Sequence, residues 1–311
     1  MVRITASLVA AVLALAPSAL AGPLSRSQKP KTEDFVFHDK SVRLMSSSHS
    51  EPAAKVITYK TEDIKDFSGN STLSFRPAHK GRKSRSKRYI IGDDDRELWQ
   101  GEEAIFPGAA VGRLAFVDGS ICSGALVGPR HVLTSKSCIP EMPSGRFAPG
   151  YNNDDQFGNS YFTALIQVDI TPDDCLWKND FALLILNDRL GDQVGYFGVE
   201  LPDPEKLDKP IFSHQGYPSD LDGSERPYRQ TGVTVHSEGS LQCDASGHLR
   251  TDVDAMPGQA GGPLWEMDGE GNYKIWGILS GGLQTDDGPV TGFASGNAMV
   301  ETVQRVQADF P

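Results

Sequence analysis

From Ala110 onward the chain is written as short apolar runs of five to ten residues, each closed by Gly, Pro, Asn or Asp: "AVGRLAFV", "ICSGALVG", "HVLTS", "YFTALIQVDI", "FALLILN", "PIFSHQGY", "YRQTGVTVHS" and "IWGILSGG". Runs of that length between turn residues suit strands. Only "NAMVETVQRVQADF" has helical spacing, with Met299, Val303 and Val306 on one face. Many short strands and one terminal helix restrict the fold to an all-β sandwich or barrel. Periodicity does not choose between the two. The stretch "DPEKLDKP", residues 203–210, reads as the break between two halves.

The N-terminal part is built differently. Residues 1–21 have a short basic start, the apolar stretch "LVAAVLALAPSALA" and the small-residue ending Ala19-Leu20-Ala21. This pattern reads as a signal peptide cut before Gly22, and the expected product is secreted and extracellular. Residues 22–88 are rich in Ser, Lys and Arg and end in "KGRKSRSKR". A like-charge run is usually solvated. Here it ends at Lys87-Arg88, just before the apolar Tyr89-Ile90-Ile91, and reads as a propeptide with a dibasic cleavage site. Asn70-Ser71-Thr72 is a glycosylation sequon within it.

Charge divides at the same place. The whole chain carries −11; residues 89–311 hold 14 Lys+Arg against 34 Asp+Glu, a net −20. So acidic a surface repels nucleic acid and anionic membrane, and neither is expected as a partner. The four cysteines, Cys122, Cys138, Cys175 and Cys243, all follow the dibasic site. Two disulfides are expected in an oxidising compartment, with three connectivities open. The sequence contains no CxxC or His-x-x-x-His spacing, and no metal or other cofactor is expected.

Three segments in order resemble the chymotrypsin-like serine proteases. "CSGALVGPRHVLTSKSC" (122–138) is similar to the Cys-bracketed segment that carries their histidine. "NDFALLIL" (179–186) is similar to the segment with their aspartate, and "PGQAGGPLW" (257–265) to the segment with their serine. "IIGDDDR" and "DVDAMPGQAGG" resemble the glutamyl-endopeptidase-like branch in particular. Gln259 sits where digestive relatives keep an aspartate that pairs with a new N-terminal amine. The resemblance covers residues 89–311. It implies a trypsin-like fold of two six-stranded Greek-key β-barrels, about 89–202 and 211–311, with a C-terminal helix and a cleft between the barrels. It also implies a Cys122–Cys138 bridge and, with it, a Cys175–Cys243 bridge joining the halves.

At the positions the resemblance assigns to the triad stand Ser137, Asp180 and Ala260. Acyl transfer needs a hydroxyl to attack, an imidazole to move its proton and a carboxylate to orient the imidazole. Ala260 offers a methyl group, and Ser137 is not a useful base near neutral pH. Losing either group typically costs about as much as losing the set, roughly a million-fold. Among other groups, His131, His236, His248, Lys136, Ser123 and Ser280 offer no complete substitute. The expected function is therefore binding without hydrolysis, as a decoy, inhibitor sponge or modulator. The alternative is an active endopeptidase with a displaced nucleophile.

The backbone N–H groups of Gly258 and Ala260 occupy the oxyanion-hole positions, so a peptide or protein ligand in the cleft is the expected partner of a monomer. Active relatives recognise an acidic side chain with a histidine where this chain has Leu279. Asp254, Leu279 and Ser280 mark the expected pocket. Asp254 stands either at its floor, favouring a basic side chain, or in an internal pair.

Overall fold

The computed structural model describes residues 52–64, 72, 74, 91, 94–101, 104–169, 177–241, 247–285 and 288–311, all within the unit Phe35–Pro311. The signal segment 1–21, Asn70, Lys87, Arg88, Cys175 and Cys243 lie outside the described residues. In chain order the first half runs through β1 (Lys55–Lys60), α1 (Thr61–Ile64), β2 (Glu97–Leu98), β3 (Val111–Phe116), β4 (Ile121–Leu126), β5 (His131–Thr134), β6 (Gly145–Pro149), β7 (Ser160–Asp169) and β8 (Ala182–Leu186). The second runs through α2 (Gly191–Val194), β9 (Gly198–Val199), β10 (Phe212–Gly216), β11 (Tyr228–Val233), β12 (Val235–His236), β13 (Leu249–Thr251), β14 (Pro263–Met267), β15 (Tyr273–Thr285), β16 (Gly288–Ala294) and α3 (Asn297–Asp309).

Six strands close a barrel in the order β3-β4-β5-β8-β7-β6, with β6 returning to β3. The sequence dictates this closure through continuous apolar runs. Every residue of β4 (ICSGAL), β5 (HVLT) and β8 (ALLIL) is buried, as expected of strands covered on both faces. One covering element is α3, whose Met299, Val300, Val303 and Val306 enter the same core. Truncating one such side chain typically costs about 2–5 kcal/mol. β7 spans the barrel: its first residues pair with β6, its middle with β8 and its last six with β1.

The second sheet corrects one expectation. Its strands follow the order β12-β13-β16-β15-β14-β10-β11-β2, and among the described residues no pairing joins its ends. It is a curled half-barrel rather than a second closed barrel. The strands at its two ends, β2 and β12, are only two residues long, and β12 follows β11 in the chain with only Thr234 between them, whose N–H donates to Asp252 Oδ1 at 2.8 Å. Phe212, Val233, Val235, Leu249, Trp276 and Phe293 fill its concave side.

Sequence order does not divide the two sheets cleanly. β2 pairs with β11, and β9 pairs with β15, so residues 97–98 and 198–199 belong to the second sheet. The break at 203–210 contains a single tight turn, Pro204–Lys206, capped by Asp203. The polar segment before Tyr89, expected to be a propeptide, contributes β1 and α1, with β1 pairing alongside β7 of the barrel.

Candidate functional site

Where β5 ends and β8 begins, the chain brings three hydroxyls onto one carboxylate. Asp180 precedes β8, and the tight turn Lys136–Cys138 follows β5. Asp180 Oδ2 accepts from Ser135 Oγ at 2.6 Å, Ser137 Oγ at 2.9 Å and, from β15, Ser280 Oγ at 2.5 Å. Its Oδ1 accepts the Ser137 backbone N–H at 2.7 Å. Hydrogen bonds to an ionised carboxylate are among the stronger ones. This cluster therefore fixes Asp180 firmly but gives it no imidazole to orient. Among the described residues no histidine bonds to Asp180.

The histidines lie elsewhere. His131 is buried in β5 beneath the C-terminal helix, and burial lowers its pKa to about 4 against nearby backbone carbonyls of Phe310 and Val306. His248 stacks edge-on with Trp177, and burial lowers it too. His236 sits on the edge strand β12.

The glycine turn is held from below by a buried hydroxyl. Ser123 Oγ accepts the Tyr217 N–H at 3.0 Å and donates to Gly258 O at 2.8 Å, while the Ser123 N–H donates to Ala260 O at 2.8 Å. Ser123 is thus an anchor for the turn. Gly258 has φ +94°, and a Cβ there would collide with Tyr217 O and approach Ser224 Oγ to 2.7 Å. Only glycine fits this backbone without strain. The N–H groups of Gln259, Gly261 and Gly262 reach Met256 O, Leu279 O and Gln259 O. Those of Gly258 and Ala260 are paired with no acceptor among the described residues.

Behind the turn lies a polar network that sequence reasoning missed. Arg96, 4% exposed, donates to Asp94, to both carboxylate oxygens of Asp220 (2.9 and 2.6 Å) and to Gln259 Oε1 at 3.1 Å. Burial disfavours its charge, but the bonds to Asp220 and Asp94 outweigh that and hold it above the ordinary arginine range. Gln259 Oε1 also accepts the Met256 N–H, and its Nε2 reaches His214 Nε2 at 3.3 Å and Asp254 O at 3.2 Å. His214 Nδ1 lies 2.9 Å from Pro263 O. A carbonyl only accepts, so Nδ1 carries the proton and Nε2 accepts from Gln259. Burial lowers His214 to about 4, so the ring is neutral near pH 7.

The expected pocket residues Asp254, Leu279 and Ser280 are all buried. Asp254, 2% exposed, accepts the backbone N–H of Ile91 through Oδ1 and of Asp95 through Oδ2. Its carboxylate is spent on the N-terminal arm. Leu279 is wholly buried in the core of the half-barrel, and Ser280 faces Asp180. A cavity of about 680 Å³ instead opens beside Ser137, lined by Cys138, Ile139, Glu141, Met142, Val117 and Asp118. The Cys122–Cys138 disulfide, Cα–Cα 6.2 Å, forms part of its wall. Closing that loop is worth about 3 kcal/mol on the chain-entropy model. Among the described residues no group of His, Cys, Asp and Glu could hold a metal ion, and no helix is long and apolar enough to cross a membrane.

Comparison with known proteins places this geometry. The trypsin family model matches residues 98–302. Glutamyl endopeptidase of Bacillus licheniformis is 25% identical over 261 residues, covering 79% of this chain and 77% of that protein. Chymotrypsin-C of Bos taurus is 28% identical over 189 residues, covering 52% and 67%. Among solved structures, a Glu endopeptidase in complex with MPD superposes with TM-score 0.58 at 21% identity, over 70% of this chain and 99% of that one. Human heparin binding protein does so with TM-score 0.52 at 20% identity, over 70% and 96%. On the family match and the barrel architecture together, the chain belongs to the trypsin-like serine protease family.

Proposed function

We propose that this protein is a secreted, non-hydrolytic member of that family, released by a cut after Arg88, which binds an extended peptide or protein loop in its cleft. The observation that carries the reading is the Asp180 cluster. The carboxylate that would orient a catalytic imidazole is occupied by three serine hydroxyls and a backbone N–H. The residue at the nucleophile position is Ala260, whose methyl group cannot attack a carbonyl. The N–H groups of Gly258 and Ala260 are left without a protein acceptor among the described residues, which favours a carbonyl guest that is held and not cut. A sulfated polysaccharide, the ligand in the name of the heparin binding protein, is disfavoured by the net −20 of residues 89–311.

Two measurements on the purified, cleaved protein test this. A fluorophosphonate probe is expected to leave it unlabelled, and casein is expected to remain intact. A covalent adduct mapped to a side chain of this chain defeats the non-hydrolytic reading. A protein inhibitor that presents an extended loop to trypsin-like clefts is expected to bind at about micromolar Kd or tighter, roughly 8 kcal/mol. Absence of calorimetric binding at that concentration defeats the binding reading.

A further inference from the structure

We infer that residues 52–64 and Thr72 stay bound to the barrel after the chain is cut, so that the processed molecule is two non-covalently joined polypeptides. This rests on the cut after Arg88 proposed above. The segment has the contacts of a permanent strand. β1 pairs in parallel with β7 over six residues, from Lys55 opposite Ala164 to Lys60 opposite Asp169. Ile57 and Tyr59 pack on the main core, and Ile64 of α1 is fully buried in it. Ala54 N–H donates to Pro143 O at 2.8 Å ahead of the strand.

The C-terminal helix holds the segment from a second side. Tyr59 Oη donates to Asp309 at 2.6 Å, and Arg305 Nη1 donates to Asp63 O at 3.2 Å. A third attachment follows at Thr72. Its N–H donates to Val199 O, and its Oγ1 accepts the Val199 N–H, both at 2.9 Å. Lys274, only 3% exposed, donates its Nζ to Thr72 O at 2.6 Å. Gly198 lacks the Cβ that would strike that same carbonyl.

Leaving would therefore remove the acceptor of the Lys274 Nζ, uncover the apolar surface that Ile64 packs on and open the edge of β7. Each is unfavourable: a lost charge-assisted hydrogen bond, apolar core surface exposed to water and an unpaired strand edge. Residues 22–88 carry 15 Lys+Arg against 7 Asp+Glu, opposite in sign to the −20 of the remainder. They contain no cysteine, so the attachment to the remainder is non-covalent.

The test uses the full secreted chain with a sequence-specific protease site substituted for residues 82–88, so that the cut is made in every preparation. After cutting, both polypeptides are expected in one size-exclusion peak in 1 M NaCl and as two bands on a non-reducing denaturing gel. Amide exchange of residues 164–169 is expected to stay within about twofold of the uncut protein. Ile64→Asp is expected to weaken retention at least tenfold. Elution of the 22–88 fragment by itself, or exchange at 164–169 accelerated more than tenfold by the cut, overturns the inference. The exchange measurement decides even if Ile64→Asp fails to fold. N-terminal sequencing of unmodified secreted material reads the processing separately. Absence of a Tyr89 end sinks the natural cut and leaves the retention result standing.

Discussion

Two side chains decide the chemistry at the smallest scale, and they are distinguishable by restoration. Ala260→Ser supplies a hydroxyl, but Ser137 cannot take its proton, and Ala260→Ser alone is expected to stay inert to a fluorophosphonate. Ser137→His combined with Ala260→Ser gives Asp180 an imidazole while Ser280 keeps its own bond to the carboxylate. Labelling of the double variant is expected to run at least a hundred-fold faster than that of the single one. Equal rates would mean that another base serves the position.

The residue assignments were legible only in part. Ser137, Asp180 and Ala260 stand out because the resemblance assigns them the triad positions. Ser135 lies in the same segment as Ser137 but has no assigned role there, and Ser280 was expected in the pocket; that both bond to Asp180 becomes visible only once the barrel closes. For Asp254 the sequence left a pocket floor and an internal pair both open, and its partners, the backbone N–H groups of Ile91 and Asp95, lie more than 150 positions away.

Among the elements, the strand runs and α3 were visible because each is a contiguous apolar pattern with turn residues at its ends. β1 was hidden by its polar surroundings; it is a mostly exposed edge strand, held by its pairing with β7 and by the half-buried Ile57 and Tyr59. The open second sheet was hidden too, since the two-residue length of its end strands is not written in periodicity. The N-terminal arm around β2 depends on one buried cation. Arg96→Met removes the donor shared by Asp94, Asp220 and Gln259, and is expected to lower unfolding stability by about 3 kcal/mol, read as a shift of the urea midpoint. A loss below about 0.5 kcal/mol would show the network to be decorative.

For the molecule as a whole, acid should be the vulnerable direction. His214 and His131 are buried, neutral and held at about 4, below the ordinary value of 6.5. The unfolded chain takes up these protons first as pH falls. Their contribution is complete above pH 6.5 and is lost progressively down to pH 4, by up to about 3 kcal/mol each. Urea unfolding at pH 7 and at pH 4.5 measures the loss. His131→Leu is expected to reduce it by about half, and an unchanged loss would exclude His131 as a source.

The Arg96–Gln259 contact has one consequence for timing. An α-amine exists only once a peptide bond upstream has been broken, whereas a guanidinium is present as soon as its residue is synthesised. In the full chain the loop that carries Ala260 is therefore braced from within by Arg96, with no α-amine required.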